Sequence, residues 1–88
     1  MTTIWKYKLK LALVQSVELP LGATILTVQM QHGDPFLWAK VDSMMHNTQL
    51  RFIALAGTGH PLLDGDSYIS TCQDAQFVWH WFETFEAK

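Results

Sequence analysis

The sequence contains little that would support metal, disulfide or strongly electrostatic chemistry. It has one cysteine and three prolines in 88 residues, and charged residues make up 16%, against a usual share of about 25%. Cys72 alone cannot form an intramolecular disulfide, and it cannot complete a structural zinc site with the scattered histidines. Six Lys and Arg against eight Asp and Glu give a net charge of −2. A DNA or RNA duplex is therefore not expected as a partner, because duplex binding needs a basic surface.

Long apolar segments are also absent. No stretch approaches the roughly 20 apolar residues of a membrane span, and the N-terminal residues lack the charged start and apolar centre of a signal peptide. We therefore expect no membrane association, and the single cysteine fits a reducing cytoplasm. No segment has the length and period of an ordinary helix.

Apolar and polar residues instead alternate with period two along most of the chain, which is typical of half-buried β-strands. The pattern predicts about seven short antiparallel strands in one all-β domain over residues 1–88, arranged as a small sandwich or barrel. The predicted strands are Ile4–Lys10, Val14–Leu19, Thr24–Gln31, Phe36–Asp42, Gln49–Ala56, Ser67–Cys72 and Phe77–Phe85.

Turn residues separate these segments. The sequence His32-Gly33-Asp34-Pro35 predicts a chain reversal, which would make the residues from Thr24 to Asp42 a hairpin. Pro20-Leu21-Gly22 and Asp74-Ala75-Gln76 predict two further turns. The longest irregular stretch runs from Gly57 to Asp66 and contains three glycines.

The segment that most invites a functional interpretation lies in this stretch: Gly57, Thr58, Gly59, His60 and Pro61. Two glycines allow a ligand to approach the backbone, and successive amides in such a turn can hold an anion. The segment lacks the lysine of a P-loop and differs from the dinucleotide fingerprint. The alternative is a plain turn whose glycines only supply positive φ angles.

The first functional hypothesis is a non-enzymatic binding protein for a nucleotide-type ligand. In this hypothesis the Gly57–Pro61 loop holds the phosphate, with help from Arg51 and Lys6. Trp5 or Trp38 would stack on the base, because indole rings are large planar surfaces. No cofactor is expected.

Other chemistry has weaker support. The four histidines do not form a sequence-local metal motif, so no metal site is predicted. His80 is expected to be a half-buried, hydrogen-bonded strand residue, and Cys72 an inert buried thiol. A small hydrolase using His60 with Asp64 or Asp66 is the third hypothesis, although neither a nucleophile motif nor a fixed geometry supports it.

The second hypothesis concerns protein partners. The chain has four tryptophans, and a domain of this size buries only about 60–65% of its unfolded surface, so at least one should reach the surface. An exposed aromatic patch would then dock on another protein. Phe36, Leu37 and Trp38 also give one strand two apolar faces, from which we expect a homo-oligomer.

Several segments together resemble a family of small uncharacterised proteins encoded by phages and prophages. They are Thr3–Tyr7, Pro20–Gln29, Pro35–Asp42, Gly57–Pro61 and Phe77–Glu83. The resemblance implies a viral origin and a place in the bacterial host cytoplasm, and it supplies no catalytic residue. It suggests that the protein acts by binding, in counter-defence against a host nuclease or effector or its nucleotide messenger. Met44-Met45-His46 departs from the charged loop expected there.

Overall fold

A computed structural model describes residues 1–62 and 66–85 and contains seven β-strands, with no helix in that part of the chain. The strands, in chain order, are β1 (Thr2–Lys8), β2 (Val14–Pro20), β3 (Thr24–Gln31), β4 (Asp34–Asp42), β5 (Thr48–Gly57), β6 (Ser67–Asp74) and β7 (Phe77–Thr84). The all-β prediction is confirmed, and β3 has the predicted bounds.

The strands form two antiparallel sheets. We name sheet A the three-stranded sheet in the order β1-β4-β3, and sheet B the four-stranded sheet in the order β2-β5-β7-β6. The inner faces pack on one another as a small sandwich, because each strand directs apolar side chains to one side. One hydrophobic cluster contains residues of both sheets, and its fully buried members include Leu19, Val28, Leu37, Ile53 and Trp81.

The β3–β4 connection is a tighter turn than the sequence predicted. Only His32 and Gly33 form it, and their φ angles of 54° and 83° are both positive, as a type I′ hairpin turn requires. Asp34 and Pro35 already belong to β4, where Pro35 is buried opposite Met30. Proline is acceptable at this position because it lies near the start of the strand.

The first strand also differs from the prediction, which placed it at Ile4–Lys10. It ends at Lys8, and Leu9 then donates its backbone N–H to Pro35 O at 2.9 Å. The next amide, that of Lys10, donates to Gln15 Oε1 at 3.0 Å. The chain leaves sheet A at this point because its hydrogen bonds turn towards the start of β2.

A buried serine joins the two sheets where β3 and β6 run side by side. Ser70 Oγ accepts the backbone N–H of Val28 at 3.0 Å and donates to Val28 O at 2.6 Å. One hydroxyl thus satisfies the two buried backbone groups of Val28, which form no ladder hydrogen bond with another strand.

We expect Ser70→Ala to lower the free energy of unfolding by about 2 kcal/mol, because both backbone groups of Val28 would be left buried without a partner. Chemical denaturation measures the change. Ser67→Ala is the matched control, since Ser67 is exposed in the same strand, and it should leave the stability unchanged. Equal effects of the two variants would contradict this role of Ser70.

Candidate functional site

The Gly57–Pro61 loop is a turn with a defined geometry. His60 donates its backbone N–H to Gly57 O at 3.0 Å, and Gly59 has a φ of +90°, an angle that suits glycine. Gly57 N–H donates to Nδ1 of His60 at 3.1 Å. A Cβ atom at Gly57 would lie 3.0 Å from His60 Cε1, so a larger residue there would push the imidazole away from the backbone on which it packs.

A cavity of about 350 Å³ lies beside this turn, and we call it the loop cavity. Such a volume falls within the range of small-molecule sites. Phe77 and Trp79 stack on one another in its wall, with ring centroids 5.5 Å apart and an interplanar angle of 15°. Phe77 is 49% exposed. The residues that line the loop cavity are Gly57, Thr58, His60, Gln76, Phe77, Val78 and Trp79.

A chain of hydrogen bonds holds Thr58 to the outer face of sheet B. Thr58 Oγ1 lies 3.0 Å from Nε2 of His80, and the other ring nitrogen lies 3.0 Å from Thr71 Oγ1. Tyr68 OH extends the chain, 2.8 Å from Thr71 Oγ1. His80 is half-buried and hydrogen-bonded, as predicted. These hydrogen bonds fix the Thr58 side chain relative to the sheet.

Two backbone amides of the turn are available to a ligand. Within residues 1–62 and 66–85, the N–H groups of Thr58 and Gly59 donate no hydrogen bond, and both residues are exposed. An anion could accept from both. The loop cavity has no Lys or Arg among its lining residues, so the backbone would supply the donors.

A second, more apolar cavity of about 360 Å³ also borders the turn. Pro61 and Leu62 line it together with Phe82 of β7, and His60 borders both cavities. Asp66 also borders it, while Asp64, the other carboxylate of the hydrolase hypothesis, lies outside the described residues.

Arg51 lies far from the loop along β5. It is on the same strand as Gly57, six residues earlier, which corresponds to about 20 Å. Its guanidinium pairs with Glu83 through Nε and through Nη2 at 3.0 Å, and Nη1 donates to Ala23 O at 2.8 Å. The hydrogen bond to Glu83 raises the pKa of Arg51 above its ordinary value. The structure therefore does not bring Arg51 to the loop.

Lys6 and Trp38 lie together on the outward face of sheet A, where they are paired in register across β1 and β4. Trp5 is on the opposite side of β1 from Lys6, and 42% of it is exposed at the edge of sheet A. These three residues are on a different sheet from the loop. The predicted site residues are thus divided between the loop, the outward face of sheet A and the Arg51–Glu83 pair.

Phe77 and Trp79 were not among the predicted site residues, although both lie in the predicted strand Phe77–Phe85. Thr71 and Tyr68 were overlooked as partners of His80. The turn at Ala75 and Gln76 sets the β6–β7 register and places Thr71 opposite His80. Once the turn length is known, this pairing follows from the sequence.

Within the described residues, no group of three or more His, Cys, Asp or Glu could hold a metal ion. Cys72 is buried, and its Sγ lies 3.1 Å from Nε1 of Trp81. No helix of the described part of the chain could span a membrane.

The fold and the loop cavity define a small antiparallel β-sandwich with a turn-bounded pocket. The chain belongs to a family described as a domain of unknown function, DUF7352, whose model matches residues 1–88. No curated protein and no solved structure is significantly similar to it.

Proposed function

We propose that the protein is a non-enzymatic binding protein that takes a nucleotide-type ligand in the loop cavity. The observation that carries this proposal is the stacked Phe77–Trp79 pair in the wall of the cavity, which Gly57 and Thr58 of the turn also line. A planar base stacks on the exposed face of Phe77, because aromatic side chains bind the π-face of any base. The N–H groups of Thr58 and Gly59 then hold a phosphate oxygen.

This proposal differs from the sequence hypothesis in the residues that bind. Arg51 is engaged by Glu83, and Lys6, Trp5 and Trp38 lie on sheet A. Phe77, rather than a tryptophan of sheet A, stacks on the base. Backbone N–H groups, rather than basic side chains, donate hydrogen bonds to the phosphate. Without a cationic side chain in the cavity, the base should contribute much of the affinity.

Isothermal titration calorimetry with adenosine, uridine, AMP, UMP, cyclic dinucleotides and ADP-ribose tests the proposal. We expect binding of at least one nucleotide, with the matching nucleoside weaker because it lacks the phosphate. Phe77→Ala should weaken binding about tenfold or more, as the loss of base stacking does. Phe85→Ala is the matched control, because Phe85 is an exposed aromatic residue that does not line the loop cavity.

Absence of heat and of a thermal shift across the whole panel at millimolar ligand would remove the proposal. So would binding that Phe77→Ala leaves unchanged.

The biological setting forms part of the same proposal. The phage origin, the place in the bacterial host cytoplasm and the counter-defence role rest on the resemblance described above. In that setting the protein would sequester a nucleotide messenger of a host defence system. Expression in a bacterium that carries a nucleotide-signalled defence should then restore phage growth, and Phe77→Ala should abolish the effect.

A second candidate function is inhibition of a host protein through an aromatic surface. Trp5 favours it, because this core-facing residue of β1 remains 42% exposed at a sheet edge that pairs with no other strand in the described part of the chain. A stoichiometric host partner that is lost on Trp5→Ala, and kept on Phe77→Ala, would support this function over nucleotide binding. The homo-oligomer stays a prediction.

A further inference from the structure

The outward face of sheet A combines aromatic and basic side chains on neighbouring strands. Sheet B covers the inner face of sheet A, and within the described residues no element covers the outward one. The strand register places Lys6 beside Trp38 and Lys8 beside Phe36, while Lys40 is the next outward residue of β4. This face is separate from the loop cavity.

Charge is distributed unequally between the two sheets. Four of the six Lys and Arg residues lie on or next to the strands of sheet A, namely Lys6, Lys8, Lys10 and Lys40. Sheet A carries two acidic residues, and both are engaged near strand ends: Asp34 with Lys8 at 3.6 Å, and Asp42 with the N-terminal amine at 3.3 Å. The net charge of −2 therefore conceals a basic face.

The remaining lysines of this face are available to an anion. Within the described residues, Lys6 and Lys40 form no ion pair with a carboxylate. Lys6 instead donates to Gln31 Oε1 at 2.9 Å and lies 4.7 Å from the centroid of the Phe36 ring. These contacts, with a neutral amide and an aromatic ring, give Lys6 no negatively charged partner.

Phe36 and Trp38 supply two aromatic rings in the centre of this face. Lys6 Nζ lies over the Phe36 ring, so a base that stacks there takes the place of the ammonium group. Both rings are half-buried, their centroids are 6.2 Å apart, and their planes are inclined by 53°. Because the planes are inclined, the two ring faces point in different directions, and each of two successive bases could stack on one ring. Neighbouring aromatics on a sheet face stack unpaired bases in other nucleic-acid-binding domains.

We propose that the outward face of sheet A binds single-stranded nucleic acid. Phe36 and Trp38 stack on two bases, and Lys6 and Lys40 contact the phosphates on either side. A single strand is favoured over a duplex, because only unpaired bases expose faces on which side chains can stack. Few lysines are available, so affinity depends on stacking as well as on charge.

Fluorescence anisotropy with labelled single-stranded DNA and RNA of about 12 nucleotides, within the usual site size of a single domain, tests this inference at low salt. Trp38→Leu should weaken binding about tenfold or more. Lys6→Gln and Lys40→Gln should each weaken it and reduce the slope of log affinity against log salt by about 0.7. Gln73→Glu is the control, because it makes the same change in net charge on an exposed position of sheet B.

The lysine variants keep the test valid if Trp38→Leu does not fold, since Lys6 and Lys40 are exposed. Absence of binding to either oligonucleotide at low salt would overturn the inference. So would equal weakening by Gln73→Glu and Lys40→Gln, or equal binding of a duplex. If polyglutamate displaced the labelled oligonucleotide as effectively as an unlabelled oligonucleotide does, the face would bind any acidic polymer, and the inference would be wrong. A stable dimer that occludes Trp38 would show that a second copy covers the face.

A negative result in this test would not contradict nucleotide binding in the loop cavity. Phe77→Ala should not change oligonucleotide binding, and Trp38→Leu should not change nucleotide binding, because the two sites are on different sheets.

Discussion

Replacement of Trp81 by alanine should lower the free energy of unfolding by about 3–5 kcal/mol. Trp81 is 0% exposed and packs in the core between the two sheets. Its loss would leave a large cavity that the surrounding strands cannot close. A domain of 88 residues has a total stability of roughly 4–13 kcal/mol, so the variant would be partly unfolded if the protein lies at the lower end of this range and folded but less stable if it lies at the upper end. Guanidinium denaturation followed by circular dichroism measures the change.

Trp81→Phe provides the milder comparison. It keeps most of the apolar volume but removes the indole N–H that donates to Cys72 Sγ, and we expect a loss of about 1–2 kcal/mol. Trp5→Ala is a second control, because 42% of Trp5 is exposed. If Trp81→Ala cost no more than Trp5→Ala, the packing of the two sheets described above would be wrong.

Arg51→Ala should lower the free energy of unfolding by about 3 kcal/mol. The side chains of Arg51 and Glu83 are only 17% and 16% exposed, and removal of the guanidinium leaves a poorly solvated carboxylate without its partner. Ala23 O also loses its donor. Thermal unfolding at equal pH and salt measures the loss.

The same variant separates two interpretations of Arg51. If Arg51 has only a structural role, the Arg51→Ala variant should bind the nucleotide as tightly as the unchanged protein. Binding is measured at a low temperature at which the variant is still folded. The double variant Arg51→Met with Glu83→Leu should recover much of the lost stability, because apolar pairs of similar size often replace buried ion pairs. Weaker nucleotide binding at unchanged stability would instead support the ligand role predicted from the sequence.

Local patterns predicted the strands well because alternation is a local property. The β3 bounds and the hairpin that follows came from alternation and from the glycine after His32. The end of β1 was missed, because it depends on the hydrogen bond from Leu9 to Pro35, a residue of a different strand. Alternation also could not show that β1 pairs with β4 rather than with β2.

The site was predicted less well, and the reason is again sequence distance. Arg51 and Glu83 are 32 residues apart, and a single sequence gives no indication that they pair, so Arg51 was assigned to a ligand. The net charge of the chain also gave no indication of a basic surface, because it sums the charges of two sheets that differ in charge. The basic face became visible only when the register placed Lys6 beside Trp38.

The most direct test of the proposed function is a two-dimensional ¹H–¹⁵N spectrum recorded during titration with the tightest nucleotide of the calorimetric panel. We predict saturable shifts of the Thr58, Gly59 and Phe77 amides and of the Trp79 indole N–H, with the amides of β1 unchanged. Shifts confined to sheet A, or no shifts at saturating nucleotide, would contradict ligand binding in the loop cavity.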